Sequence, residues 1–343
     1  MTDPAPIRIG IIGGGSIAGE HLLGYLAQPE AAIVTAIADI DPEHARGMAE
    51  RAGGAAVYLD YRDMLADSVV DAVDICLPHH LHADAIVAAA AAGVHILCEK
   101  PLCLTVEEAG EVRRAVEAAG VTLMCSHNQL FMPPVAAARR LLQEGILGPV
   151  YEARTTDCFF NDFDPANMGW RAHRSTSGGG ELIDTGYHPT YLLLHLIDSE
   201  PTEVTAMLST HRLTFMEGED SAHVVVRFAD GSVGTITTSW AYEPAGSTER
   251  FSVVGEAGSL WSDGRSLFHK PRGGETVTLV EPPAEDVETI QLSVQDFVAC
   301  LREGRRPIQT EVEGINVLMV ILGAYASVDQ GRTISLRELT AAG

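Results

Sequence analysis

Two spacings of apolar positions divide the chain. Ile7 to Ile12 is a short apolar run ending in glycines, IAGEHLLGYL follows with helical spacing, and IVTAIAD is a second buried strand. DPEHARGMAERAG then reads as an amphipathic helix closed by Gly53. VVDAVDICL is a strand, ADAIVAAAAAG a helix closed by Gly93, VHILCE a strand, VEEAGEVRRAVEAAG a helix closed by Gly120, and VTLMCSH a strand. Strands regularly separated by helices predict a parallel, doubly wound sheet covered on both faces, with a first domain over residues 1–127.

Beyond a linking helix around Val135 to Leu142 the pattern changes. YEARTTDCFF, PTEVTAMLSTHRL, SAHVVVRFADGSVGTITTSWAY, RFSVVGEAGSLWSDG and TVTLVEP alternate or carry β-branched residues, with DG and EAG turns between several of them. Closely spaced strands without helices between them predict a large, open, mostly antiparallel sheet. Helices are expected only at Gly180 to Leu196, 293–303 and 311–330. The fold class is therefore α/β, with a second α+β domain over 128–343, and the option that the 311–330 helix packs back toward the first domain is left open.

Charge narrows the partners. The formal net charge of -24 argues against nucleic acid, whose binding rests on clustered Lys and Arg, and no basic stretch favours an anionic membrane surface. The start, MTDPAPIRIG, has an acid and two prolines where a secretory leader needs positive charge. The most apolar later run, taken as Ala85 to Val94, is about half of a bilayer span. A cytoplasmic protein with a small neutral ligand is expected. Six cysteines without a CxxC pair suit buried reduced thiols.

Gly13, Gly15 and Ala18 form G-x-G-x-x-A between the first strand and helix. Gly13 permits the turn, Gly15 lets a pyrophosphate approach the backbone, and Ala18 allows close packing. Ser16 and Ile17 open the helix whose N-terminal N–H groups and dipole would face the anion. This is the Rossmann dinucleotide pattern. Asp39, ending the second strand, would bind both ribose hydroxyls of NAD and repel the 2'-phosphate of NADP, whereas Asp41 before Pro42 suits a helix cap. NAD is the expected cofactor, with Arg46 keeping NADP as the lesser alternative.

Two further places carry candidate chemistry. Lys100 and Lys270 are the only lysines among 23 basic residues, and Lys100 follows a strand of the parallel sheet, at the edge where such sheets bind ligands. Lysine offers a proton donor that its surroundings can adjust, which arginine does not. In GGGELIDTGYHPTY, Asp184 and His188 stand four apart, a spacing that would put them on one face of a helix. A histidine can accept a hydroxyl proton while a carboxylate orients it.

With these residues the chain resembles the Gfo/Idh/MocA family of NAD(P)-dependent oxidoreductases, which includes inositol and sugar dehydrogenases. The likeness runs through IGGGSIAGEH, DAVDICLPHHLHADAI, GVHILCEKPLCLTVEEA, WR, GGGELIDTGYH and AYASVDQGRTISL. The resemblance implies a catalytic set of Lys100, Asp184 and His188. His188 would accept the hydroxyl proton, Lys100 would hydrogen-bond the same oxygen, and Asp184 would bind a neighbouring hydroxyl or steady the site. It also implies cofactor contacts from Leu77, Pro78, His79, His82, Trp170 and Arg171, with Glu99 and Pro101 shaping the turn that carries Lys100.

Departures fall where substrate is selected. His127, Asn128 and Gln129 replace a common asparagine-led segment, leaving Asn128 as a candidate substrate ligand, and Tyr191 stands where an aspartate commonly follows the histidine by three positions. His79, His80 and His82 lack an acid at metalloenzyme spacing, and Glu181, Asp184 and His188 have another use, so no metal is expected. The implied reaction is reversible oxidation of a secondary alcohol in a sugar, inositol or polyol. Its rivals are redox-neutral, NAD-dependent glycoside cleavage within the family and a non-catalytic ligand sensor. The family also implies a homodimer or homotetramer.

Overall fold

Apolar runs buried on both faces form a parallel sheet, while alternating runs form a one-sided antiparallel one. The computed structural model describes residues 5–243 and 249–341, with side chains to 339. Part of the start read as non-secretory, Met1 to Pro4, lies outside the described residues, as does the end of the second domain at 342–343. In chain order the elements begin with β1 (Ile7–Ile12), α1 (Ser16–Leu26), β2 (Ala32–Ala38), α2 (Pro42–Arg51), β3 (Ala56–Tyr58), α3 (Tyr61–Ala66), β4 (Ala72–Ile75), α4 (His82–Ala91), β5 (His95–Cys98), α5 (Val106–Ala119) and β6 (Leu123–Cys125). There follow α6 (Pro133–Gln143), β7 (Val150–Cys158), α7 (Arg174–Ser177), α8 (Tyr187–Leu196), β8 (Pro201–Ser209), β9 (Ser221–Phe228), β10 (Val233–Ser239), β11 (Phe251–Gly255), β12 (Gly258–Ser262), β13 (Leu267–Pro271) and β14 (Val277–Val280). The chain closes with α9 (Thr289–Glu303), α10 (Glu311–Gln330), β15 (Ile334–Ser335) and α11 (Leu336–Ala341).

The first sheet has the order β3-β2-β1-β4-β5-β6, and every pair is parallel. This is the doubly wound dinucleotide-binding order, whose reversal between β1 and β4 opens a crevice at the carboxyl ends. Ile9, Ile11, Val73, Ile75, Ile96 and Leu97 are fully buried in it. Local chemistry sets the helix boundaries. Asp41 caps α2 by accepting from the N–H groups of Glu43 and His44, and Thr105 with Glu108 forms a reciprocal capping box at α5. β3 escapes the apolar pattern because Ala56 and Val57 are exposed.

The chain divides into two compact units, Met1–Asn128 with Glu288–Ile315, and Gln129–Val287 with Asn316–Gly343. Residues 288–315, which the strand pattern assigns to the second domain, thus belong to the first unit. α9 lies against α1 there: a Cβ on Gly24 would meet Val294 Cβ at 2.7 Å, so a side chain would force the helices apart.

In the second unit nine strands form the order β14-β13-β12-β11-β7-β10-β9-β8-β15. Only β7 with β10 is parallel. Along β9, Ala222, Val224, Val226 and Phe228 point inward while His223, Val225 and Arg227 face solvent. α8 covers the inner face, where Gly234 makes room for Leu193 and the Thr155 hydroxyl donates to the Pro189 carbonyl at 2.9 Å. β13, LFHKP, has too little alternation to stand out in the sequence.

α10 corrects the reading of Ala85 to Val94 as the most apolar stretch. Its 20 residues have a mean hydropathy of 1.4 over the most apolar window, enough by length and composition to cross a membrane, a test that core helices also pass. Val317, Leu318, Val320 and Ile321 are buried.

Candidate active site

The first unit gathers its candidate residues at one edge of the parallel sheet. Gly13 follows β1, Asp39 follows β2, Leu77 and Pro78 follow β4, Glu99 and Lys100 follow β5, and Asn128 follows β6. Gly13 has φ +97°, and a Cβ there would lie 2.5 Å from the Cys76 carbonyl oxygen, so only glycine fits this turn. Gly15, by contrast, has open space where a Cβ would be, and it stands exposed at the start of α1 with Ser16 exposed and Ile17 half-buried beside it. That open approach to a helix N-terminus fits a pyrophosphate. The Asp39 carboxylate accepts from the Gly14 N–H at 2.6 Å and the Asp41 N–H at 2.7 Å, which fixes it beside the glycine turn. Asp41 is the α2 cap, as its position before Pro42 predicts. These residues fit NAD.

Two histidines of the segment expected to line the cofactor have buried side chains. His82 is fully buried, with Nδ1 2.6 Å from the Pro101 carbonyl oxygen and Nε2 2.8 Å from that of Leu77. Burial pushes it below the usual histidine range, against those two carbonyls. It braces the two strand-end turns from beneath. His79 is 3% exposed. Asn128 is half-buried and its side-chain amide donates to Thr289 Oγ1 at 3.0 Å, while neighbouring His127 is buried against Gln309 and pushed by burial down to about 4.

The Lys100 turn rests on a buried polar chain that its motif did not announce. His21 Nδ1 lies 2.8 Å from Asp74 Oδ2, His21 Nε2 lies 3.0 Å from Glu99 Oε1, and Glu99 Oε2 accepts from the Lys100 N–H at 3.1 Å. Asp74 was the visible signal, a carboxylate inside the apolar strand VVDAVDICL that demands a partner once buried.

In the second unit Asp184 and His188 do not share a helix face. α8 begins at Tyr187 with Gly186 as its cap, and Asp184 sits in the preceding turn. Gly179 and Gly180 press against Tyr325 and Glu219 so closely that a Cβ on either would meet them at 2.1 Å, holding this segment in a packed turn where a helix was expected. Asp184 is 5% exposed, and its Oδ2 accepts from Arg171 Nε at 2.8 Å. The Arg171 guanidinium in turn lies 4.3 Å from the Trp170 ring centre. Arg171 and Trp170 are thus joined to Asp184 in one assembly.

His188 is in the first turn of α8, half-buried, with Nδ1 2.8 Å from the Tyr191 hydroxyl. That hydroxyl also accepts from the Gln129 N–H at 3.1 Å. Beside Asp184 opens a cavity of about 230 Å³ walled by Phe159, Phe163 and Trp240 and edged by Asn161 and Arg171. Aromatic faces with a few polar groups suit a small polyhydroxy ligand. Three residues before Asp184, Glu181 is fully buried, and burial, together with the charges of Glu219, Asp157 and Asp184, outweighs the Thr238 hydroxyl bond and raises it well above the usual carboxylate range.

Comparison with known proteins agrees with this architecture. Residues 7–127 match the oxidoreductase family with NAD-binding Rossmann fold, and residues 135–261 match the Gfo/Idh/MocA C-terminal domain. Levoglucosan dehydrogenase of Pseudarthrobacter phenanthrenivorans is 31% identical over 74% of this chain and 73% of its own length. D-apiose dehydrogenase of Paraburkholderia graminis is 29% identical over 96% and 90%. A solved levoglucosan dehydrogenase in complex with NADH and levoglucosan, 27% identical, superposes over 96% of this chain and 99% of that one with a TM-score of 0.87. The chain belongs to the Gfo/Idh/MocA oxidoreductases, enzymes built on an NAD-binding Rossmann fold.

Proposed function

We propose that this enzyme oxidises a secondary alcohol of a sugar, inositol or related polyol with NAD, His188 accepting the hydroxyl proton and Lys100 hydrogen-bonding the same oxygen. Bound NAD supplies the hydride acceptor, and the protein's part is to bind, orient and move the proton. His188 is suited to this because an imidazole exchanges a proton near neutral pH and its Nδ1 is already engaged by Tyr191. Asp184, oriented by Arg171, holds a neighbouring hydroxyl of the substrate. The cytoplasm and a homo-oligomeric assembly complete the proposal.

The observation that carries it is the set of relatives: dehydrogenases of levoglucosan, D-apiose and, in Thermotoga maritima, myo-inositol, the last 26% identical over 97% of this chain. The gathering of glycine turn, Asp39 and Lys100 at one sheet edge supports NAD. A screen of sugars, inositols and polyols for NADH release, repeated with NADP, tests it. Free NADH with NAD and a polyol is the expected result. A broken glycosidic bond with NAD retained would replace this reading by the redox-neutral one.

A further inference from the structure

α1 carries a histidine that the proposed chemistry leaves unused. His21 is fully buried, and each ring nitrogen faces a carboxylate oxygen: Asp74 Oδ2 at 2.8 Å and Glu99 Oε1 at 3.0 Å. An ionised carboxylate only accepts hydrogen bonds, and a neutral imidazole donates from one nitrogen alone. Two carboxylate partners therefore call for a ring protonated at both nitrogens. The other contacts agree. Asp74 Oδ2 also takes the Tyr25 hydroxyl at 2.9 Å and Oδ1 takes the Cys76 thiol at 3.5 Å, both consistent with an ionised Asp74.

We propose that His21 is a standing imidazolium that straps Asp74 of β4 to Glu99 at the end of β5, and through Glu99 acts as a positioning residue for Lys100. Glu99 is the hinge of this strap: Oε1 takes His21 and Oε2 takes the Lys100 N–H at 3.1 Å. His21 lies on the helix that opens at the glycine turn, so the strap also ties the cofactor helix to the lysine turn.

The ionisation balance supports the geometry. Burial alone would lower His21, but the charge of Asp74 and the hydrogen bonds of the cluster raise it well above the usual histidine range. Burial would raise Glu99, yet the bond and charge of His21, then the charge of Lys100, hold it down to about 2. Cys76 is pushed up to about 12 by burial and by Asp74, so it stays a thiol. The ligand atoms of His21, Asp74 and Cys76 lie within 4.8 Å of one another, a spacing open to a metal. Their mutual hydrogen bonds account for it without one.

The proposal rests on Lys100 acting in the reaction, and its test has one arm independent of that. Nitrogen-15 NMR of the full-length enzyme should show both His21 ring nitrogens protonated at neutral pH. A neutral tautomer at neutral pH overturns the imidazolium. In kinetics, His21→Gln should lower kcat by about tenfold to a hundredfold, the cost of a misplaced group, while NAD affinity is retained. Unchanged kcat overturns the positioning role. If His21→Gln fails to fold, Asp74→Asn serves: with one partner charge gone, His21 should titrate at lower pH and kcat should fall with alkalinity where the parent enzyme is flat. A flat Asp74→Asn profile also overturns the positioning role. Loss of the Lys100 reading shows separately, as full turnover by Lys100→Arg with the NMR result intact.

Discussion

His188 Nδ1 and the Tyr191 hydroxyl lie 2.8 Å apart, one turn along α8, and the same hydroxyl accepts the Gln129 N–H. A phenol thus occupies the place where an aspartate was expected from the resemblance, and it adds no negative charge to the imidazole. Tyr191→Phe removes that oxygen and leaves the packing. It should lower kcat by roughly tenfold, the worth of one hydrogen bond, with a smaller change in KM. Steady-state kinetics on the best polyol checks this, and an unchanged kcat would reduce Tyr191 to a packing residue.

Asp39 is held beside the glycine turn by two backbone N–H groups, so its charge stays fixed near the position expected for the ribose. Asp39→Asn keeps the size and lowers the repulsion of a 2'-phosphate. The ratio of kcat/KM for NAD over NADP should fall by about tenfold or more, as one charge–charge or hydrogen-bond contact predicts. Parallel assays with the two cofactors give the ratio.

Proton linkage at the buried strap sets a pH window for stability. His21 is raised in the folded state, so its contribution is full below its unfolded value of about 6.5 and is lost as pH rises through the folded value. Glu99 is lowered to about 2, so its contribution is full above its ordinary value and is lost as pH falls toward about 2. The two contributions therefore coincide between about pH 4.5 and 6.5. Thermal unfolding against pH should show His21→Gln losing most stability relative to the parent enzyme inside that window.

The capping box of α5 makes a cheaper test of the fold. Thr105 accepts from the Glu108 N–H at 3.1 Å and Glu108 accepts from the Thr105 N–H at 3.2 Å. Thr105→Ala should cost about 1 kcal/mol, read from denaturant unfolding, with kcat unchanged.

Much of this architecture was visible in local pattern. Apart from β3, the strands of the parallel sheet are apolar runs, the helices α2, α4 and α5 between them are followed by glycines of positive φ, and Asp41 announced its cap, because these are decided by neighbouring residues. What escaped depends on distant partners. The i, i+4 spacing of Asp184 and His188 suggests a helix, yet packing of Gly179 and Gly180 against Tyr325 and Glu219 keeps Asp184 in a turn. His82 looks like a loop ligand until the carbonyls of Leu77 and Pro101 close around it. α9 joins the first unit because Gly24 admits Val294, a contact no local spacing encodes. His21 gave no signal of its own, and only the carboxylate of Asp74 in an apolar strand hinted at it.

The central claim, that Lys100 and His188 handle the proton of a substrate hydroxyl, is tested most directly by the turnover of Lys100→Arg with NAD binding measured alongside. Arginine keeps the positive charge but does not give up its proton. The account predicts NAD affinity close to that of the parent enzyme and a kcat lowered by about a hundredfold or more, the usual weight of a proton-transfer group. Normal turnover in that variant would contradict it.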